Sequence, residues 1–265
     1  MQISSLTVGR LFACMLALTV GSAGQALSFD PDAGVDEKSG PLVLFKFGFS
    51  AYKSGKKDDA AEAYRHAAEQ GHPGARWALA NMYAAGDGVV EDDYEAFKIY
   101  DRIAREGVEP GSSETGYFVN ALVRLASYYR RGIPNSPVTA DPTQARQLYF
   151  QAASVFGIPE AQYQLGSMML AGEGGHTDLR QAKKWLNRAR KSGHPAAAAL
   201  FGDAIFQEGH TVRGLAYMTV ALERAPVNDR GWIREIQEQA FSIANEADRR
   251  TAIALAEDML AKGKN

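Results

Sequence analysis

The chain has 265 residues, of which 46% are hydrophobic and 23% charged, the composition of a folded globular protein rather than of a disordered one. The net charge is −2, with basic and acidic residues nearly balanced. Nucleic-acid binders usually carry a strongly basic face, so we expect no nucleic-acid partner.

The first 26 residues are typical of a secretory signal peptide. Arg10 precedes an apolar run over residues 11–20, and small residues follow up to Ala26. A run of this length is too short to span a bilayer, which needs about 20 residues. We therefore expect cleavage after Ala26, a mature protein that begins near Leu27, and a soluble periplasmic location without direct membrane insertion.

Cys14 is the only cysteine of the chain and lies inside this predicted signal. A lipoprotein signal that ends at Cys14 is the alternative, but it would leave almost no apolar segment before the cysteine. Cleavage after Ala26 would remove the thiol, so the mature chain would enter an oxidising compartment without a disulfide or thiol chemistry. Residues 27–41 are predicted to be a polar N-terminal linker.

Internal repeats organise the rest of the chain. Gly71, Gly107, Gly157 and Gly193 each follow a helix-like stretch, at spacings of 36, 50 and 36 residues. The string "AAGDG" at 84–88 returns as "LAGEG" at 170–174. The longer middle spacing is explained by one insertion around 109–118 and a shorter one within 133–140. Such periodic self-similarity predicts a repeat architecture.

Apolar residues at helical spacing, such as Ala75, Leu79 and Met82, predict that each repeat is a pair of helices. We predict an all-α, right-handed superhelical solenoid, with five repeats over 42–226 and C-terminal capping helices over 227–265. Small residues at Gly48, Ala80 and Gly166 would let neighbouring helices approach closely. The predicted helices are 42–54, 57–70, 74–85, 93–106, 116–131, 142–156, 159–171, 179–192, 196–208 and 211–224, followed by two more between 229 and 261.

The acidic, glycine-rich loop at 84–88 could suggest a phosphate or metal site. No phosphate-binding GxxxxGK string occurs, and a calcium loop from Asp87 would place Val89 and Lys98 where oxygen ligands are required. Asp92 and the equivalent Asp141 and Asp178 instead stand where an N-cap of the second helix is needed. The loop is therefore predicted to be a turn between helices.

The strings "GARWALANMYAAGDGVVEDDYEAFKIYDRIAREG" and "PEAQYQLGSMMLAGEGGHTDLRQAKKWLNRARKSG" resemble the Sel-like (SLR) branch of the tetratricopeptide-repeat family, whose members are helical solenoids that bind proteins. The first unit, "FKFGFSAYKSGKKDDAAEAYRHAAEQG", has the shorter turn of an ordinary tetratricopeptide repeat.

From about Ser39 to Ser242 the chain is also similar to the ExoR family of periplasmic exopolysaccharide regulators of rhizobia, on strings such as "SGPLVLFKFGFSAYKSGKK", "RWALANMYAAGDGV" and "QAKKWLNRARKSGH". This resemblance implies a regulator without enzymatic activity. It implies binding to the periplasmic region of an ExoS/ChvG-type sensor histidine kinase, which is thereby inhibited, with effects on exopolysaccharide production and motility. A periplasmic protease is a further possible partner.

The sequence offers no catalytic site. It contains no GxSxG or HExxH string, so we expect no catalytic residue, no metal and no cofactor. His72 and His194 lie in equivalent "GHP" turns and are predicted to be repeat residues. Acid could be the signal that releases the partner, because histidine titrates near pH 6.5, but both side chains could equally be passive.

The first helix of each pair should line the concave face of the solenoid. We predict that the partner binds there, because arginines and aromatic residues are enriched at protein-contact hot spots. The predicted partner-binding residues are Trp77, Asn81, Val123, Arg124, Ser127, Arg130, Tyr163, Gln164 and Ser167.

Three alternatives stay open. Trp77 and Tyr163 could simply pack against the adjacent repeat. The insertion at 109–118 could hold the partner instead of the concave face. The protein could also be a scaffold of envelope polysaccharide assembly, or a carbohydrate-binding module that holds a sugar with Trp77, Tyr163 and Arg124.

Overall fold

The computed structural model describes residues 35–109 and 111–262. The predicted signal peptide and its cleavage site, including Cys14, lie outside the described residues. Within them the chain forms twelve helices and no strand. The helices are α1 Pro41–Lys53, α2 Lys57–Glu69, α3 Pro73–Ala85, α4 Asp93–Glu106, α5 Thr115–Arg131, α6 Pro142–Val155, α7 Pro159–Ala171, α8 Leu179–Lys191, α9 Pro195–Gln207, α10 Thr211–Arg224, α11 Val227–Ile243 and α12 Glu246–Lys262.

The predicted all-helical solenoid is confirmed. From α1 to α10 each helix packs against the next along the chain, α11 packs on α9 and α10, and α12 packs on α10. The core is a series of local clusters between neighbouring helix pairs, which is how a repeat array is stabilised. Leu79 and Leu165, predicted as core residues, are 5% and 0% exposed.

Three of the helices that begin one residue earlier than predicted begin at a proline. Pro41, Pro73 and Pro195, placed just outside their helices by the sequence pattern, occupy the first helical position. A proline is favourable there because the first turn has no partner for a backbone N–H and the helical φ is already set.

The aspartate caps are formed as expected. Asp92 accepts hydrogen bonds from the backbone N–H groups of Tyr94 and Glu95. Asp141 accepts from Gln144 N–H and Asp178 from Gln181 N–H, at 3.0 and 2.9 Å. Each cap fixes where the second helix of its repeat begins.

Small residues bring helices together within a pair. A Cβ added to Gly48 would lie 2.8 Å from the ring of Tyr64, and one added to Gly166 would lie 2.7 Å from Leu186. Ala80 is fully buried. Close contact between the two helices of a repeat therefore depends on these positions, as the sequence predicted.

The loop at 84–88 leads from the first to the second helix of one repeat, α3 to α4. Gly86 ends α3 in the left-handed region, with φ of 61°, and Gly172 ends α7 in the same way, with φ of 71°. Asp87, which lies between Gly86 and Gly88, accepts a hydrogen bond from Tyr52 Oη at 2.5 Å and forms an ion pair with Lys57 Nζ. The carboxylate is thus used to attach α3 to the preceding repeat.

Candidate functional site

The first helices of successive repeats differ in how closely they pack. α3 packs directly on α5 and α7 on α9. Between α5 and α7 lies a cavity of about 620 Å³, and a second one of about 460 Å³ lies between α1 and the pair α3–α5. The two cavities, which share Asn120 and Arg124, are called the inner groove below.

Both apolar and polar side chains line the larger cavity. Val119, Val123, Phe156 and Ile158 supply apolar surface, and polar groups come from α5, α6 and α7. Its lining residues are Thr115, Gly116, Val119, Asn120, Val123, Arg124, Ser127, Tyr149, Phe156, Ile158, Glu160 and Gln164. Thr115 and Gly116 belong to the insertion at 109–118, so this alternative site borders the groove rather than lying apart from it.

The smaller cavity is rich in aromatic side chains. Phe49 and Tyr52 come from α1, Tyr64 from α2 and Trp77 from α3. Trp77 also packs against the next repeat, because its Nε1 donates to Asn120 Oδ1 at 2.8 Å and its ring lies 5.4 Å from that of Tyr117. Trp77 therefore does both things that the sequence left open: it packs against the adjacent repeat and it lines the groove.

The predicted partner-binding residues divide into two sets. Those that line the inner groove are Trp77, Asn81, Val123, Arg124, Ser127 and Gln164. Arg130, Tyr163 and Ser167 are half-buried and lie outside the lining of both cavities. Tyr163 stacks on His194, with ring centroids 4.7 Å apart, and so packs against the adjacent repeat.

Arg130 belongs to a hydrogen-bonded network that joins three repeats. Its guanidinium donates to both carboxylate oxygens of Glu173, at 2.6 and 2.8 Å, and to Gln164 Oε1 at 2.7 Å. Gln164 Nε2 in turn donates to Glu160 Oε1 at 2.7 Å, and Glu160 Oε2 lies 2.9 Å from His194 Nε2. The network holds α7 in place along one edge of the groove.

The two equivalent histidines are helix caps. Nδ1 of His72 accepts from Ala75 N–H and Nδ1 of His194 accepts from Ala197 N–H, both at 3.2 Å. An accepting Nδ1 means that the neutral ring carries its proton on Nε2, which in His194 can then donate to Glu160. Burial lowers the pKa of His72. The hydrogen bond from His194 lowers the pKa of Glu160, which favours the carboxylate.

Similarity to known proteins agrees with the repeat architecture and identifies the family to which the chain belongs. The Sel1 repeat family matches residues 73–108, 119–154 and 159–194, which correspond to the helix pairs α3–α4, α5–α6 and α7–α8. A protein of Rhizobium meliloti (strain 1021) named "Exopolysaccharide production negative regulator" is 64% identical over 258 residues, 97% of this chain and 96% of that protein. The chain belongs to this regulator family.

Other relatives agree with this assignment. A protein of the same name from Rhizobium leguminosarum bv. viciae is 63% identical over 245 residues, 92% of each chain. The c5321 antigen of uropathogenic Escherichia coli, which has an SLR fold, superposes with a TM-score of 0.66 at 24% identity, over 85% of this chain and 46% of that one. A Sel1 repeat protein from Oxalobacter formigenes gives 0.52 at 23% identity, over 82% and 74%. These two structures support the solenoid fold alone.

Sequence reasoning missed several residues of the groove. Asn120 and Glu160 occupy equivalent positions one helical turn before Arg124 and Gln164, and all four line the larger cavity. The repeat register that placed Arg124 on the inner face would have placed Asn120 there too, because residues four apart share a helix face. Phe49 and Tyr52 were missed because the first repeat was not included in the predicted surface.

Two further observations concern the described residues only. No group of three or more histidine, cysteine or acidic side chains with metal-binding geometry occurs in residues 35–109 and 111–262. None of the helices α1 to α12 has both the length and the apolar character needed to cross a membrane.

Proposed function

We propose that this chain is an exported, non-enzymatic negative regulator of exopolysaccharide production that binds and inhibits a sensor histidine kinase of the ExoS/ChvG type. The observation that carries the proposal is 64% identity across 97% of the chain to a rhizobial negative regulator of exopolysaccharide production. The kinase partner and a second effect on motility are what the resemblance to this family implies.

The fold is compatible with a role in binding rather than in chemistry. Solenoids of helix pairs present extended inner surfaces to other molecules. The inner groove has the mixture of aromatic residues, an arginine and amides that is typical of protein-contact sites.

Complementation tests the regulatory function. The chain would be expressed in Rhizobium meliloti lacking its 64% identical relative. We expect exopolysaccharide production to return to the level of the unmodified strain and motility to be restored. Unchanged overproduction, with the protein present in the periplasm, would refute the regulatory proposal.

The same strain tests export. A version without residues 1–26 should accumulate in the cytoplasm and fail to complement. The same version behind an unrelated secretory signal should complement fully. Complementation by the signal-less version would rule out a periplasmic site of action.

Kinase inhibition needs a direct assay. The purified chain from residue 27 onwards would be titrated against the kinase's periplasmic region, and against full-length kinase in membranes while autophosphorylation is measured. We expect binding and a matching fall in autophosphorylation. Binding without inhibition would leave a scaffold role as the better explanation.

One observation favours a carbohydrate ligand as the second candidate. Phe49, Tyr52, Tyr64 and Trp77 line one cavity, and such rings can stack on sugars. Titration with purified exopolysaccharide distinguishes the two functions. A saturable change in tryptophan fluorescence, together with no affinity for the kinase region, would favour the carbohydrate-binding module.

A further inference from the structure

One charged side chain in the lining of the inner groove has no hydrogen-bonded partner within the described part of the chain. The charged side chains that line the two cavities are Asp87, Arg124 and Glu160. Asp87 is held by Tyr52 and Lys57. Glu160 is hydrogen-bonded on one oxygen by Gln164 and on the other by His194. Both acids therefore already have partners within the chain.

Arg124 has no such direct partner. This exposed guanidinium forms no hydrogen bond or ion pair with any residue in the described part of the chain, and it acts on Glu160 only through its charge, which helps to lower the pKa of that carboxyl. By contrast, Arg130, six residues further along α5, donates to both carboxylate oxygens of Glu173 and to the amide oxygen of Gln164. A guanidinium presents five N–H donors in a fork that matches a carboxylate. Arg124 is thus the one cation of the groove lining that is available for an acidic group.

The position of Arg124 determines where that group would lie. Arg124 lines both cavities, so it stands at their junction. Asn120, one turn earlier on α5, also lines both, and its Oδ1 is occupied by Trp77 Nε1. The amide of Asn120 therefore offers its N–H donors beside the guanidinium, so the junction of the groove is a site for a hydrogen-bond acceptor that carries negative charge.

Apolar surface lies on both sides of this junction. Val123, Phe156 and Ile158 line the larger cavity, and Phe49, Trp77 and Met82 are among the residues of the smaller one. The volumes of about 620 and 460 Å³ fall in the range of ligand-binding pockets, about 300–1,000 Å³. Along the groove, an apolar surface is therefore followed by the cationic Arg124 and then by a second apolar surface.

We propose that the groove binds an extended segment of the kinase's periplasmic region in which one aspartate or glutamate pairs with Arg124. The apolar side chains before and after this acid enter the two cavities. The proposal rests on the proposed function and names the chemistry of the partner segment. A polyanion would require several unpaired cations along the groove, and a neutral sugar would require none.

The first experiment measures affinity for the purified periplasmic region of the kinase. Arg124→Gln removes the charge, Arg124→Lys keeps the charge without the fork, and Arg102→Gln is the control, an exposed arginine on α4 outside the groove. We expect at least a tenfold loss of affinity for Arg124→Gln, a smaller loss for Arg124→Lys and none for Arg102→Gln. Circular dichroism should be the same for all four proteins.

The second experiment identifies the acid. Overlapping peptides from the kinase region would be titrated against the unmodified chain, and each acid of the best binder replaced by its amide. Replacing one particular acid should cause the same loss as Arg124→Gln, and the combined changes should cause little further loss. Equal losses for every acid, or additive losses, would contradict a specific pair with Arg124.

The outcomes separate this inference from the proposed function. If Arg124→Gln binds the kinase region as tightly as Arg102→Gln, the groove proposal is wrong while the kinase remains the partner. If the unmodified chain does not bind the kinase region at all, both proposals are wrong.

Discussion

Two loops with the same sequence pattern, residues 84–88 and 170–174, each connect their repeat to the preceding one, but through different partner side chains. Each follows a first helix, and each places an acid between two glycines with positive φ. Gly86 N–H donates to Met82 O and Gly172 N–H to Met168 O, so the backbone turns in the same way. The loops differ in what the acid contacts.

Asp87 reaches back to Tyr52 and Lys57, whereas Glu173 reaches back to Arg130. In both loops the acid joins its own repeat to the one before. The preceding repeat supplies a different cation from a different position. The position of the acid within its repeat therefore determines its role, which is to connect two repeats. The sequence of the preceding repeat determines which side chains it contacts.

The largest loss of stability is expected from changes in the first helices, α3 and α7, which lead into the two loops. Leu165→Ala and Leu79→Ala should each lower the free energy of unfolding by about 2–5 kcal/mol, because each leaves a cavity in a packed core. Leu165 should cost at least as much as Leu79, since it is 0% rather than 5% exposed. Urea denaturation measures both. Leu179→Ala, at a residue 57% exposed, is the control and should change little.

The second effect concerns the later glycine of each loop. A Cβ added to Gly174 would lie 2.2 Å from Pro142 O, and one added to Gly88 would lie 2.6 Å from Lys57 Cβ. Gly174→Ala should therefore destabilise the protein by about 2–4 kcal/mol, from backbone strain and overpacking together. Gly88→Ala should cost less, because its closest contact would be 2.6 Å rather than 2.2 Å.

Gly157→Ala provides the matched control for strain. Gly157 has φ of 67°, but an added Cβ would meet nothing within 4 Å. It should show only the strain of a left-handed residue, about 1–2 kcal/mol. If Gly174→Ala were no worse than Gly157→Ala, the close approach of this loop to α6 would not contribute to stability.

The sequence predicted what is local. The glycine turns and the aspartate caps are decided within a few residues, so helix positions could be read from their spacing. The repeat register also placed Trp77 and Arg124 on the inner face. Contacts between distant residues could not be predicted, such as those of Arg130 with Glu173 and of Tyr163 with His194. They depend on how successive repeats are placed against one another, which no local signal reports.

The smallest effect on stability is expected from replacing the two loop acids, Asp87 and Glu173. These replacements also test the comparison of the two loops most directly. Glu173→Gln leaves the guanidinium of Arg130 without its two charged acceptors. Because the pair is partly exposed to solvent, the loss should be modest, roughly 1 kcal/mol. Asp87→Asn should lower the stability by less, because the side chain of its partner Lys57 is more exposed to water than that of Arg130.

The dependence on pH identifies the charge as the cause. The hydrogen bonds and charge of Arg130 hold the pKa of Glu173 below its ordinary value of 4.5. A carboxyl whose pKa is lower in the folded state stabilises the fold above its unfolded pKa, and this contribution disappears as the pH falls through the folded pKa. The difference in free energy of unfolding between the unmodified chain and Glu173→Gln should therefore be constant from pH 7 to about 5, and shrink below pH 4.5. Taking the difference removes the acid sensitivity of the other carboxylates. A difference that persisted unchanged at pH 3 would mean that Glu173 acts through packing, and the two loops would then share a turn but not an ion-pair function.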